Sequence, residues 1–288
     1  MYVIAGVSGH VGSAAARELL AKGEQVKVLV RDPAKGEAWS RQGAEVAVVD
    51  LNNRAGLAEA LRGSSGFFAL LPSSYTTTDF HGDQRLMADA IAGAVKDSGV
   101  PHVVMLSSLG AELAEGTGPL LGLHELENRL RETGVVLSAI RCTHFQEKVE
   151  DLLGAAQGAG IYPVFGESAD VPIAMVATRD IGAVVAETLL SPPSAGQVID
   201  LEGPAYTERQ VAEKLSAALG KPLQVVTIPQ PGWVDAMVEA GLSRHIAEVL
   251  VGLYDAGERG ILQPKGDRRL QGRTEIDETL RSLVQTGA

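Results

Sequence analysis

Cysteine is nearly absent from this chain: Cys142 is the only one among 288 residues. No intramolecular disulfide can form, which fits a reducing compartment, and a cytoplasmic location is expected. Aromatic residues amount to only 4%, so the core must be built from Val, Leu, Ile and Ala. A basic excess is missing as well. The 25 Lys and Arg face 36 Asp and Glu, a formal charge of −11. No Lys/Arg cluster offers the electrostatic footprint of a nucleic-acid binder, and the acidic balance argues against an anionic membrane surface. No apolar run reaches the length of about 18 residues that crosses a bilayer. No basic and apolar leader precedes the strand-like opening MYVIAG. Internal repeats are lacking too.

What the chain does have is 45% hydrophobic residues and 33 glycines, arranged in an alternating rhythm. Short, continuously apolar runs predict buried strands at 2–5, 25–30, 44–49, 66–70, 102–106 and 135–140. Helical spacing predicts helices between them at 11–21, 33–42, 54–61, 78–96 and 119–132. Strand–helix alternation of this kind implies an α/β fold: a doubly wound parallel sheet with helices on both faces. Residues 1–150 are expected to form this core, rejoined by a helix at 179–190 and a strand at 197–201 within about 177–201. The glycine-rich 154–166 reads as irregular and loop-rich. Further on, Thr207 with Gln210 forms a capping-box pattern, and a strand at 223–228 precedes helices at 233–240 and 244–258. Residues 151–176 and 202–288 are expected to form a smaller α/β lobe over the ligand edge of the sheet.

The strongest chemical signal is Gly6-Val7-Ser8-Gly9-His10-Val11-Gly12, between the first strand and the first helix. Unpaired N–H groups and a partial positive charge at a helix N-terminus suit a pyrophosphate. Glycine lets the backbone turn sharply and approach the ligand closely. Gly6, Ser8, Gly9, His10, Val11 and Gly12 are therefore candidate cofactor-binding residues. At the end of the second strand an NAD-selective protein places an acid for the ribose 2′-hydroxyl. Here Arg31 comes first, followed by Asp32, and the Arg31 guanidinium suits a 2′-phosphate, with Lys35 assisting. This predicts NADP(H) in preference to NAD(H). Asp50 and Leu51 end the third strand, where they flank the adenine position, although Asp50 equally suits a turn or helix cap. Leu71 and Pro72 follow the fourth strand beside the expected ribose and nicotinamide, with Ser73 next to them.

Four stretches, GVSGHVG, VRDPAK, SSLGA and HELENRLRETGVVLSAIRCTHFQE, together resemble the NmrA-like branch of the atypical short-chain dehydrogenases. The later ATRDIGAVVAETLL and GPAYTERQVAEKLSAALGKP extend the likeness over nearly the whole chain. Within the branch the sequence is most similar to NAD(P)H:quinone reductase-like proteins. The resemblance implies an NAD(P)-binding Rossmann core with NADPH in the crevice and a small lobe over the nicotinamide. It also implies two kinds of function, since some relatives reduce quinones or other small electrophiles and others act as redox-linked regulators.

Typical short-chain dehydrogenases use a Tyr-x-x-x-Lys pair beside a Ser. None of the five tyrosines here has Lys four residues later. The resemblance puts Leu120 at the Tyr position, His124 at the Lys position, and Ser107 at the catalytic Ser position. Hydride transfer to a simple ketone makes an alkoxide, whose conjugate acid is about as weak as water, and that step needs a placed acid. Hydride transfer to a quinone makes a phenolate, with a pKa of about 10, which solvent or a nearby His can protonate. His124 and Ser107 are the candidate catalytic residues and also candidate cofactor contacts. Thr143, His144 and Phe145, after the sixth strand, are candidate walls of the substrate pocket with Ser73. No H-x-x-x-H or paired Cys marks a metal site, and no G-x-S-x-G elbow marks a serine nucleophile. The expected function is an NADPH-dependent oxidoreductase acting on a quinone or similar conjugated electrophile. The alternatives are a non-catalytic NADP(H) sensor and, third, an isomerase or epimerase. The partner expected is a small-molecule electrophile, with no nucleic acid and no membrane; a homodimer or a regulatory protein partner stays open.

Overall fold

The computed structural model describes residues 1–285. Eight strands form one all-parallel sheet: β1 (Tyr2–Ile4), β2 (Val26–Val30), β3 (Glu45–Val48), β4 (Gly66–Ala69), β5 (His102–Ser108), β6 (Val136–Cys142), β10 (Gln197–Glu202) and β13 (Arg268–Gln271). Their spatial order is β3-β2-β1-β4-β5-β6-β10-β13. The chain runs outward from β1 to β3, then returns to place β4 on the other side of β1. Loops leaving β1 and β4 thus diverge, and a crevice opens at the carboxyl ends of those two strands, the usual ligand position in such sheets.

Helices cover both faces, and successive strand residues serve opposite cores. Val3, Phe67 and Val103 pack with Leu57 and Leu61 of α3 (Arg54–Leu61), Ile91 and Val95 of α4 (Phe80–Ser98), and Leu126 and Leu130 of α5 (Leu121–Glu132). Their neighbours Ile4, Phe68 and Val104 face the other way. They pack with Ala15 and Leu19 of α1 (His10–Ala21), Trp39 of α2 (Pro33–Arg41), and Ile181 and Val185 of α7 (Thr178–Leu190). Burial on both faces explains why these strands read as unbroken apolar runs. Each fully buried Leu, Ile, Val or Phe contributes about 1.5–3 kcal/mol to this core.

The lobe contains β7 (His144–Phe145), α6 (Leu153–Ala159), β8 (Ile161–Phe165), β9 (Ile173–Val176), β11 (Ala205–Tyr206), α8 (Glu208–Leu219), β12 (Gln224–Ile228), α9 (Trp233–Glu239), α10 (Arg244–Glu258) and α11 (Ile276–Gln285). Strand β8 pairs with β12, and β9 lies between β7 and β11. The capping box at Thr207 and Gln210 starts α8 as the spacing predicts, a contribution of about 1 kcal/mol.

Two regions differ from the sequence reading. Residues 154–166 are not irregular, because α6 and β8 occupy most of them. Gly154 and Gly158 lie on the exposed side of α6, and Gly160 ends it with a φ of 70°. The glycine density marks an exposed helix face and its stop signal. Pro163 sits in β8, which has only β12 as a neighbour, so its missing N–H costs no ladder bond on the free edge. The second difference is β13, which falls within the range expected for the lobe but forms the outer strand of the main sheet beside β10. As an edge strand with the sequence RRLQ it is largely exposed, and it carries no apolar run to announce it.

Beneath α5 lies a buried ion cluster. Glu127 is 0% exposed and Arg141, on β6, is 5% exposed. Arg141 donates from Nε to Glu127 Oε1 at 3.0 Å and from Nη2 to Oε2 at 2.8 Å. Ser107 donates to Oε1 at 2.6 Å, and Arg131 to Oε2 at 2.5 Å. Arg141 also reaches Glu112 at 2.9 Å. Burial opposes ionisation of Glu127, yet the bonds and charge of Arg141, with the donations from Ser107 and Arg131, outweigh it and hold the carboxyl below the ordinary glutamate value. A carboxyl depressed in the folded state stabilises fully above its unfolded pKa, and that contribution is lost as pH falls through the folded value. Removing one partner of a buried pair leaves the other uncompensated. Glu127→Ala is therefore expected to lower stability by about 3–5 kcal/mol in urea unfolding at pH 7, with the gap to the wild type narrowing as pH drops below the usual glutamate range. An equal loss at pH 7 and at pH 3 would contradict the account.

Candidate functional site

The turn after β1 is shaped by three glycines with different constraints. Gly6 has a φ of 68°, and a Cβ there would lie 2.2 Å from Leu70 Cδ2. A Cβ at Gly12 would lie 2.5 Å from the carbonyl oxygens of Ala5 and Gly6. Gly12 is thus required for seating α1 on the strand. Gly9 is different: its Cβ would meet only the Gly6 carbonyl oxygen, at 3.5 Å. The protein itself leaves that space free. Gly9 is the N-cap of α1, no side chain caps the helix, and no acid stands in its first turn. Val7 and Val11 anchor the turn in the core, while Ser8, Gly9 and His10 are exposed. Unpaired N–H groups at a bare helix end, with room for close approach, suit an anion.

At the end of β2, Asp32 caps α2 by accepting from the Ala34 N–H at 3.0 Å. Its carboxylate is thereby turned to the helix. Arg31 and Lys35 are exposed and no ion pair forms on either among the described residues. Asp50 accepts from the Asn52 N–H at 2.8 Å, a local turn, and Leu51 packs half-buried against the α3–α4 core. After β4, Leu71 is buried and Pro72 and Ser73 are exposed. Gln84 holds this loop by donating to the Pro72 carbonyl at 2.9 Å. Gly6, Ser8, Gly9, His10, Val11, Gly12, Arg31, Lys35, Leu71 and Pro72 therefore follow strands that meet at the crevice.

Ser107 is 2% exposed, and its single proton is committed to Glu127. His124 is half-buried; its Nδ1 lies 2.9 Å from the Ala111 carbonyl and its Nε2 lies 3.0 Å from the Asn128 amide nitrogen. Leu120 is 8% exposed. Thr143 donates its N–H to the Leu201 carbonyl at 3.1 Å, and its buried hydroxyl oxygen has no partner. His144 and Phe145 form β7, in register with Met175 and Val176, with His144 exposed. The lone Cys142 is 1% exposed, and burial pushes its thiol well up.

Several groups at this edge have no signal in the sequence. His10 Nε2 lies 3.1 Å from Glu150 Oε2, tying the glycine turn to the segment 146–152. A cavity of about 100 Å³ there is lined by His10, Phe145, Glu147, Lys148, Asp151 and Thr178, with Glu150 at its side. Glu147 caps α7 through the Thr178 N–H at 3.0 Å. Phe165 stacks on Tyr254 at 5.1 Å, and Trp233 lies 5.8 Å from the same ring. Burial pushes the Tyr254 hydroxyl up to about 12, with Tyr75, Asp151 and Glu208 adding to it. Each of these side chains is single in the sequence, and only the lobe's packing gathers them. A larger cavity, about 330 Å³, is lined by Val135, Leu137, Gln197 and Asp267. It lies at the opposite, amino-terminal ends of β6 and β10.

The profile of the NmrA-like family matches residues 2–267. The chain belongs to the NmrA-like family. It is 30% identical over 258 residues to an NAD(P)H azoreductase of Xenophilus azovorans, covering 88% of this chain and 86% of that protein. It is 27% identical over 257 residues to quinone oxidoreductase 2 of Escherichia coli, covering 87% of this chain and 85% of the relative. The fold matches the crystal structure of the NADPH-dependent quinone oxidoreductase of Escherichia coli complexed with NADPH. That match has a TM-score of 0.78 at 24% identity, over 99% of this chain and 100% of the other.

The contrast between the glycines yields a direct test. Gly12→Ala is expected to lower thermal stability by about 1–3 kcal/mol through overpacking. Gly9→Ala is expected to leave the melting temperature close to the wild type while weakening dinucleotide binding in fluorescence titration. If Gly9→Ala bound NADPH as the wild type does, the anion site would lie elsewhere.

Proposed function

We propose that this NmrA-like protein is an NADPH-dependent reductase that delivers hydride to a quinone or a similar conjugated electrophile. Its relatives named as an azoreductase and a quinone oxidoreductase support this class of activity. NADPH fits the residues present. The bare α1 terminus at Gly9 takes the pyrophosphate, and Ser8 and His10 flank it. Arg31 and Lys35 take the 2′-phosphate, since Asp32 is engaged in capping α2 and does not compete. Leu71 and Pro72 border the ribose and nicotinamide, and Asp50 and Leu51 border the adenine. The cofactor supplies the hydride; the protein supplies orientation.

The observation that supports the choice of substrate class is Leu120, which is buried and apolar at the position that the family resemblance gives to a proton-donating tyrosine. Without a placed acid, the acceptor must be one whose reduced form is a stabilised anion. A quinone meets that need, because its phenolate takes a proton from water. Thr143, His144, Phe145 and Ser73 wall the acceptor's side of the crevice, with the Phe165–Tyr254 stack as an aromatic surface in the lobe. A second reading, nucleotide binding without turnover, is favoured by the engagement of Ser107 with Glu127.

Titration with NADPH and NADH, followed by turnover at 340 nm with a panel of quinones and azo dyes, separates the two. Quinone-dependent oxidation supports the reductase; tight binding with no turnover on any acceptor supports the sensor. Arg31→Ala is expected to weaken NADPH binding by roughly 10–100-fold, the loss of a charge-assisted bond of about 1.5–3 kcal/mol, and to leave NADH nearly unchanged. Equal weakening of both nucleotides would overturn the 2′-phosphate assignment.

A further inference from the structure

Helix α5 carries Glu127, Asn128 and Arg131 within about two turns of His124, and the donors and acceptors among them leave little freedom. Arg131 donates from Nη1 to Asn128 Oδ1 at 3.1 Å and from Nη2 to Glu127 Oε2 at 2.5 Å. A guanidinium only donates, so the Asn128 amide must present its oxygen to Arg131 and its NH2 to His124. The Asn128 Nδ2 to His124 Nε2 distance is 3.0 Å. An amide NH2 only donates, so Nε2 accepts and carries no proton. On the other side, His124 Nδ1 lies 2.9 Å from the Ala111 carbonyl oxygen. A carbonyl only accepts, so Nδ1 carries the proton.

We infer that Arg131 and Asn128 are positioning residues that hold the His124 imidazole in its Nδ1–H tautomer, so that Nε2 is presented as a hydrogen-bond acceptor. A proton on Nε2 would face the Asn128 NH2, and turning that amide would set the same NH2 against the Arg131 guanidinium. Three carboxylates on the elements around the ring are paired with cations. Glu112, on the loop that carries Ala111, pairs with Arg141 and Lys265. Glu127 pairs with Arg141 and Arg131, and Glu125 pairs with Arg129. Arg131 links the buried cluster to the imidazole, since the same guanidinium touches Glu127 and Asn128.

The consequence deepens the reductase reading and rests on it: the proton for the reduced acceptor does not come from His124. Acceptors that need an enzymatic acid, such as simple ketones, are disfavoured at two positions, Leu120 and His124.

The test uses 15N imidazole spectra of the full chain without nucleotide, so its outcome is independent of whether the protein binds NADPH or turns over a quinone. The His124 resonances are assigned by their loss in His124→Asn. The neutral wild-type ring is expected to be the Nδ1–H tautomer, with Nε2 an unprotonated acceptor. Asn128→Asp, at an exposed helical position, places an acceptor against Nε2, and a proton is expected on Nε2. Arg131→Met leaves Arg141 on Glu127 and frees the amide to turn its oxygen to the ring, and the Nε2–H tautomer is expected to become populated. An Nε2–H tautomer in the wild type, or an Nε2 that stays unprotonated in Asn128→Asp, would overturn the assignment.

Discussion

The strand order of the main sheet reverses between β1 and β4, and much else in the molecule follows from that reversal. Loops that leave neighbouring strands in opposite directions cannot cover the gap between them. The protein fills the gap's edge with backbone instead: the glycine turn on one side and the Leu71–Pro72 loop on the other. Because α1 begins at the gap with no capping side chain, its unpaired N–H groups need an external partner. One segment beside the lobe, 146–152, reaches this turn, where Glu150 meets His10.

The core of the sheet was legible from the sequence because its strands are buried on both faces. Residues such as Phe67 and Phe68 serve opposite cores, so no polar alternation interrupts the run. The helices α3 and α10 match their sequence ranges end to end. Legibility failed where a strand is polar or very short. Strand β13 is polar because it is an edge, and β7 and β11 have only two residues each. Glycine was misleading in 154–166, where Gly154 and Gly158 are simply the exposed side of α6.

The candidate site divides along the same line. The glycine turn is local, contained in one short run of successive residues, and so its backbone geometry was readable. The contacts around it in the lobe are not local. Glu150 meets His10 from 140 residues away, and Tyr254 meets Phe165 across the lobe. A sequence carries no record of such meetings when each residue is single. Ser107 and His124 fall between these cases. The resemblance singled them out, but their hydrogen-bonding state was not readable. The Glu127 cluster, itself invisible in the sequence as a cluster, decides what Ser107 can do.

The burial of Cys142 has a meaning beyond packing. Conjugated electrophiles, the proposed acceptors, are also alkylating agents, and thiolates are the side chains they trap most readily. Here the chain's only sulfhydryl sits at the end of β6, 1% exposed and kept in its protonated form by burial. A catalyst handling such compounds would thus present them with no exposed thiol of its own, and its working lifetime would not be set by alkylation at cysteine.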